Sequence, residues 1–330
     1  MKIDKLICPI SVIIPAYNVA SYIVDAVDSI MRQNILPAEI IIVNDGSTDN
    51  TLDILLKNYA NEQRINILNI ANNGVGNARN IAIAKSSQPF IFCCDPDDIV
   101  KDGFFEEFSL RLAQNNDMEL FCFSSERFLE GTSIKLKKVN HDNDKWYKTG
   151  EPIFSQMVAR DDYTAAAWTY VVKRCVLKVN NLYFDGRVHE DHIFTLGSYL
   201  YSKCCYTTTR ILYSQRIRNG SLTESHKDAD YIEQRANVLF QVLDILKKEI
   251  SPNNQLTISN YVKSSLRTIY LLAINNNNPI PAIVLHKNSL LKEIKPVGLS
   301  GQLIFNFPKL FVFLYKIKKN VRIISKTFQS

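Results

Sequence analysis

Four short apolar runs, each ending in polar residues and each followed by a stretch of helical spacing, constrain this chain more than any other feature. Residues 10–16 form a continuous apolar run of the kind shown by a strand buried on both faces. Tyr22, Ile23, Ala26, Val27, Ile30 and Met31 then recur at helical spacing. Residues 39–44 make a second run, followed by a Ser/Thr/Asp-rich turn and a helix over 51–60. The pattern predicts a third strand over 65–70, a third helix over 77–85 and a fourth strand over 90–94 that ends in acids. Strand and helix alternating at such short spacing call for a parallel sheet covered by right-handed crossovers. Ligands bind such sheets outside the carboxyl ends of the strands, which is where the polar residues cluster.

Beyond residue 98 the pattern becomes mixed. A helix over 104–113 precedes a strand over 119–124, a polar hairpin-like stretch to 148, a helix beginning near 151, and a helix over 190–202 that leads into a strand ending near 217. From 228 onward the chain reads as helices, with a loop over 274–281 and a hinge over 295–303. The expectation is an α/β domain over residues 1–225 and a helical region over 226–330. No apolar run approaches the ~20 residues of a membrane-spanning helix, and Pro9 breaks the first apolar segment, so no secretory signal is read and a cytoplasmic protein is expected. Seven cysteines without a C-x-x-C suggest neither a disulfide framework nor a zinc site, but small buried hydrophobes in a reducing compartment.

The net charge of +6 is a property of the tail. Residues 294–330 carry seven Lys or Arg and no acid, and the remainder has 32 bases against 33 acids. A nucleic-acid-binding body is therefore disfavoured, and a basic tail that meets anionic lipid becomes a candidate.

Four strand-end clusters carry the chemistry. The first is Pro15-Ala16-Tyr17-Asn18. The second runs from Asn44 through Asp45 to Asp49, where a turn and helix cap account for Ser47 to Asp49 but do not require a carboxylate at Asp45. The third, Asn73 to Asn80, has two glycines that let backbone approach a ligand and an arginine, Arg79, one turn into the next helix. It is not a G-x-G-x-x-G fingerprint. The fourth is Asp95-Pro96-Asp97-Asp98, three carboxylates in four residues. They repel unless compensated, and Mg²⁺ or Mn²⁺ bridging a diphosphate is an economical solution; a solvated acidic turn is the plain alternative. Further on, Glu190 and Asp191 stand at a helix start, where a capping acid is the plain alternative. Arg216 and Arg218 share one face of a strand, as a phosphate clamp or a solvated edge.

These segments together resemble the family 2 inverting glycosyltransferases of bacterial capsule, O-antigen and lipooligosaccharide assembly, which have the GT-A fold. The matching pieces, over residues 8 to about 225, are the run from Ile10 to Asn18, Val43 to Asp49, Asn73-Gly74 with Ala78-Arg79-Asn80, Phe92 with Asp95, Asp97 and Asp98, Glu190-Asp191, and Tyr213 with Arg216, Arg218, Gly220 and Ser221. The resemblance implies a Rossmann-like, mostly parallel sheet flanked by helices. It implies that Pro15, Ala16, Tyr17 and Asp45 hold the base and ribose of a nucleotide sugar, and that Asn73, Gly74 and Arg79 lie near the nucleotide. Asp95, Pro96 and Asp97 form the D-x-D turn, Asp95 and Asp97 ligating Mn²⁺ or Mg²⁺ on the donor diphosphate. Asp191 is the general base, Glu190 lies at the acceptor, and Arg216 and Arg218 neutralise the leaving diphosphate in place of a Q-x-x-R-W motif, which this chain lacks. Inversion is one in-line displacement with a single base on the acceptor side and charge stabilisation on the leaving side. The rivals are a non-catalytic nucleotide-sugar-binding relative and a sugar-phosphate nucleotidyltransferase. The latter is discounted because its glycine-rich loop would follow the first strand.

Trp168 reads either as a platform for an acceptor sugar ring or as core. His226 reads as solvent-facing with a metal role as the alternative, and His141 and His286 read as surface residues. Residues 302–326 read as a basic amphipathic helix starting at Pro308 that lies on an anionic membrane, serving a lipid-linked saccharide acceptor. The competing reading docks this helix on the protein's own helical region or on a second subunit of a homo-oligomer.

Overall fold

The structure is a computed structural model that describes residues 6–132, 134–218, 226–251, 254–286 and 289–315. The described chain divides into two compact units, Met1–Met157 with Asp162–Ser221, and Val158–Asp161 with Leu222–Ser330.

The first unit opens with the predicted alternation: β1 (Leu6–Ala16), α1 (Ile23–Met31), β2 (Ile35–Asp45), α2 (Thr51–Tyr59), β3 (Ile65–Ile70), α3 (Val75–Lys85) and β4 (Phe90–Cys93). It continues with β5 (Ile99–Val100), α4 (Phe104–Gln114), β6 (Leu120–Leu129), β7 (Lys135–Val139), β8 (Lys145–Thr149), α5 (Glu151–Ala159), β9 (Tyr170–Lys173), α6 (Arg174–Val179), α7 (Asp191–Tyr201) and β10 (Lys203–Ile217). All ten strands join one sheet in the order β3-β2-β1-β4-β9-β6-β10-β5, with β7 beside β6 and β8 beside β10. The pairs β3/β2, β2/β1 and β1/β4 are parallel; β1, β2 and β4 are the apolar runs buried on both faces, and β3 is the half-exposed edge. Residues 10 and 12–14 of β1 and 40–43 of β2 are wholly buried. β9 breaks the pattern, inserting antiparallel between β4 and β6. β6 and β10 then run parallel to each other and extend past the acid-bearing end of β4. Helix α4 seals one face with Phe104 and Phe108 against Phe90 and Phe92.

Five of the seven cysteines are buried, as expected, while Cys175 is exposed and Cys204 half-buried. Burial raises the Cys8 and Cys93 thiols to about 12. His141 corrects an expectation: it is buried, its backbone N–H bonded to Ser124 Oγ at 3.0 Å, because the hairpin after β7 folds back on β6. His286 is exposed.

The second unit is helical. α8 (Ala229–Glu249) is capped by Asp228, whose carboxylate accepts the Tyr231 N–H at 2.8 Å, and it packs on α9 (Gln255–Asn275). α10 (Ala282–Leu285), α11 (Ser289–Lys292) and α12 (Gly298–Asn306) follow. The hinge expected over 295–303 is thus largely helix, held by Tyr270 Oη donating to the Ile304 carbonyl at 3.4 Å and by burial of Ile304 and Phe305. Residues 308–315 are helical, starting at Pro308 as expected, with Phe307, Leu310, Phe313 and Leu314 exposed. Lys316, Lys318, Lys319, Arg322 and Lys326 lie outside the described residues. No described helix is long and apolar enough to cross a membrane.

Candidate active site

The carboxyl ends of β1, β2 and β4 and the start of α7 define the site. At the end of β1, Pro15 and Ala16 are buried within the strand and Tyr17 is exposed. Asn18 has φ +50° and its Oδ1 accepts the Thr48 and Asp49 N–H groups at 2.8 and 3.3 Å. Ser47, Thr51 and Asp49 return the favour by accepting the N–H groups of Asn18, Val19 and Ala20. The Ser/Thr/Asp run after β2 therefore ties the first two loops together, which is more than a helix cap.

Asp45, at the tip of β2, is buried, and its carboxylate is already engaged. It accepts the Asn73 N–H at 2.8 Å, the Gly74 N–H at 2.9 Å and Asn72 Nδ2 at 3.3 Å. Its visible work is to anchor the third loop. Gly46 makes room for this: with φ +65°, a Cβ there would lie 2.6 Å from the Asn72 backbone nitrogen.

Arg79 on α3 is the pivot. Its guanidinium is buried, donating from Nη2 to Asp95 Oδ1 at 2.9 Å and from Nη1 to Glu190 Oε1 at 3.0 Å, over the ring of Phe184. Burial works against the charged guanidinium, but the Asp95 and Glu190 carboxylates more than offset it and raise its pKa. Its Nε–H is buried with no acceptor among the described residues. Asn80 clamps the Phe184 backbone with two hydrogen bonds, and Gly76 lets α3 approach: a Cβ there would lie 2.8 Å from Glu190 Cγ. Glu190 therefore neither caps α7 by its side chain nor lies open to an acceptor; with 9% of its surface exposed it holds Arg79. Asp191 follows as the first residue of α7, and no ion pair among the described residues holds its carboxylate. Burial, then the Glu190 charge, raises it to about 7 against the pull of Arg79.

The acidic turn after β4 is fixed from β10. Tyr213 Oη donates to Asp98 Oδ2 at 2.7 Å and accepts the Asp95 N–H at 3.1 Å. Asp98 also accepts the Arg216 N–H at 2.7 Å. Burial, followed by the Asp95 and Asp97 charges, pushes Asp98 well above the usual carboxylate range. Burial raises Asp95 as well, opposed by Arg79 and assisted by Asp97. Arg218 Nε donates to Asp97 Oδ2 at 2.7 Å, and Arg216 Nε to the Asp97 carbonyl at 2.8 Å. Both arginines lie over the Tyr22 ring, and Arg216 reaches Asp25 at 3.2 Å.

Trp168 corrects the acceptor-platform reading. It is 3% exposed and stacks on Tyr213, 4.7 Å between centroids and 9° between planes, so its ring is core that props the tyrosine. Tyr213, which the sequence marked only as the start of a strand motif, thus becomes the link between β10 and the acidic turn. His226 belongs to the second unit and is exposed, in line with the solvent-facing reading.

Comparisons with known proteins converge on one family. The profile of glycosyl transferase family 2 matches residues 11–165, a span that runs from β1 through the acidic turn to the start of the segment before β9. The glycosyltransferase EpsJ of Bacillus subtilis is 28% identical over 220 residues, 65% of this chain and 63% of that protein. A Pasteurella multocida hyaluronan synthase is 41% identical over 97 residues, 29% of this chain and 10% of that enzyme. The matched stretch is therefore less than two thirds of either relative. The crystal structure of Staphylococcus aureus TarS 1–349 in complex with UDP-GlcNAc superposes with a TM-score of 0.66 at 18% identity, covering 87% of this chain and 81% of that one, which shows the GT-A fold. Over residues 11–165 the chain is similar to glycosyl transferase family 2.

Proposed function

We propose that the protein transfers a sugar from a nucleotide sugar, a UDP-sugar first, to a hydroxyl of a saccharide or lipid-linked saccharide acceptor in surface-polysaccharide synthesis, with inversion at the anomeric carbon. The observation that carries this reading is the Arg79 pivot, which gathers Asp95 of the acidic turn and Glu190 beside Asp191 around one guanidinium. UDP-GlcNAc binding by the TarS neighbour supports the choice of nucleotide.

The acceptor oxygen attacks the anomeric carbon as the bond to the diphosphate breaks, and the hydroxyl proton passes to Asp191. A carboxylate raised to about 7 is basic enough to take a developing oxonium proton and is still largely ionised in a mildly alkaline cell interior. The leaving diphosphate develops negative charge that Arg216 and Arg218 neutralise. Both stand at Asp97, held in rotamer by the Tyr22 ring. The exposed Tyr17 and the Asp45-anchored loop at Asn73 and Gly74 flank the nucleotide.

The acid set fits Mn²⁺ or Mg²⁺. Asp95 and Asp97 each give one oxygen to an arginine, and Asp98 is raised by burial first and by the Asp95 and Asp97 charges after it. Among the described residues no three His, Cys, Asp or Glu side chains form a ready-made cage, as suits an ion that takes one or two carboxylates and completes its shell with phosphate oxygens and water. Bound by Asp95 and Asp97, such an ion would supply charge neutralisation on the diphosphate. The tail from residue 302 is proposed to lie on anionic membrane, where its exposed Phe307, Leu310, Phe313 and Leu314 meet the apolar boundary.

The test is release of UDP from UDP-sugars with Mn²⁺ or Mg²⁺, comparing the wild type with Asp191→Asn. Turnover that depends on acceptor and falls about 10²–10⁴-fold in the variant is expected for loss of a general base. An Asp191→Asn enzyme as fast as wild type would remove the base assignment.

A further inference from the structure

The β6–β7 hairpin carries two cations that the site described above does not use. In the β6/β10 ladder Ser125 pairs with Tyr213 and Arg127 with Gln215, and in β6/β7 Arg127 pairs with Leu136. Strand alternation therefore places Arg127 and Tyr213 on one face of this ladder, and Glu126, Phe128, Ser214 and Arg216 on the other, while Lys138 is the extra residue of a β-bulge opposite Ser125. Contacts agree with that division: Ser214 Oγ donates to Glu126 at 2.8 Å, and Arg216 lies over the Phe128 ring.

The hairpin's acids are all turned to the far face. Glu126 pairs with Lys101 at 2.9 Å and Lys135 at 3.4 Å, and Glu130 pairs with Arg216 at 3.5 Å. Arg127 and Lys138 lie near enough for their charges to act on each other, with no acid paired to either among the described residues. Arg127 Nε is buried without an acceptor. Burial, and after it the Arg127 charge, holds the Lys138 ammonium below the ordinary lysine range. Two like charges kept together in a half-buried place cost free energy that an anion between them would return.

We propose that Arg127 and Lys138 form an anion subsite for a phosphate or diphosphate group carried by the acceptor, resting on the reading above that the acceptor is a saccharide or lipid-linked saccharide. Arg127 lies two residues, about 7 Å, along β6 from the level of Tyr213, whose hydroxyl touches the acidic turn. That is the reach of a sugar ring plus its phosphate. A planar guanidinium and a point-charge ammonium complement a dianion better than a single carboxylate. The donor diphosphate is answered separately, by Arg216 and Arg218 at Asp97.

The test is a ¹⁵N NMR titration of the arginine Nε–H signals with inorganic phosphate, in protein first saturated with UDP and Mg²⁺ to fill the donor site. The Arg127 signal is expected to shift saturably with phosphate and not with chloride at equal ionic strength. Lys138→Gln should weaken phosphate binding at least 5-fold while changing UDP affinity less than 2-fold, and Arg127→Lys should retain part of it. An unchanged thermal melt certifies that the variants fold. A linear, unsaturable shift, or phosphate affinity untouched by Lys138→Gln, would overturn the subsite. A protein that fails to bind UDP yet shows the saturable Arg127 shift keeps the subsite and rejects the UDP-sugar reading instead.

Discussion

Replacing Arg79 by methionine keeps the packing over Phe184 and removes the one charge that holds the site together. Glu190 has 9% of its side-chain surface exposed and Asp95 25%, and each bonds Arg79 at 3.0 and 2.9 Å. Breaking a buried pair by removing one partner costs about 3–5 kcal/mol. The cost here falls mainly on Glu190, because Asp95 can hydrate in part, so a loss near the lower end, about 3 kcal/mol, is expected at pH 8. For a unit of this size that is roughly 6–12 °C in Tm, at ~2–4 °C per kcal/mol. The sign of the pH dependence follows. Without Arg79 the Asp95 carboxyl, which burial already raises, is easier still to protonate in the folded than in the unfolded chain. The variant's deficit is then present at neutral and alkaline pH and shrinks as pH falls toward 5. Calorimetric melts of both proteins at pH 5 and 8 measure it. A deficit below about 1 kcal/mol at pH 8, or one equal at both pH values, would refute the pivot.

Four further outcomes follow. The acid limb of kcat/KM should lie near 7, where burial and Glu190 put Asp191, instead of near 4, and Asp191→Asn should abolish that limb. Because the folded Asp191 holds its proton more tightly than the unfolded one, wild type loses stability as pH rises through about 7; Asp191→Asn should therefore melt higher than wild type at pH 8 and not at pH 4. Gly76→Ala drives a methyl to 2.8 Å from Glu190 Cγ and should cost about 1–3 kcal/mol and lower activity, read by thermal melt and UDP release. Truncation after Leu299 should abolish flotation with anionic vesicles; a truncated protein that floats like the intact one would sink the membrane role.

Much of the frame was legible in the sequence. Apolar runs buried on both faces mark central parallel strands, as β1, β2 and β4 are, while the half-exposed β3 lies at the sheet edge. The polar residues at their ends mark the crevice without any knowledge of contacts. What stayed hidden depends on partners far along the chain. Arg79 meets Glu190 across 111 residues, and nothing local to either residue says so. The lack of a side chain at Gly76 was the one available hint. β9 was missed because Tyr170 to Lys173 is short and sits behind an alanine run that reads equally as loop or helix. His141 was misplaced and Trp168 left open between platform and core for one reason: an amphipathic ring carries no local signal of which neighbour covers it. Asp45 read as a ligand-facing carboxylate, and it faces three donors of the neighbouring loop.

We propose that this cluster of loops is a metal-assisted nucleotide-sugar site. The most direct measurement is a thermal-shift panel of UDP-, GDP-, CMP- and dTDP-sugars, each with and without Mn²⁺, since a ligand that binds only the folded state must raise its melting temperature. A Mn²⁺-dependent rise with UDP-sugars that is lost in Asp97→Asn is expected. No rise with any nucleotide, with or without metal, would contradict it.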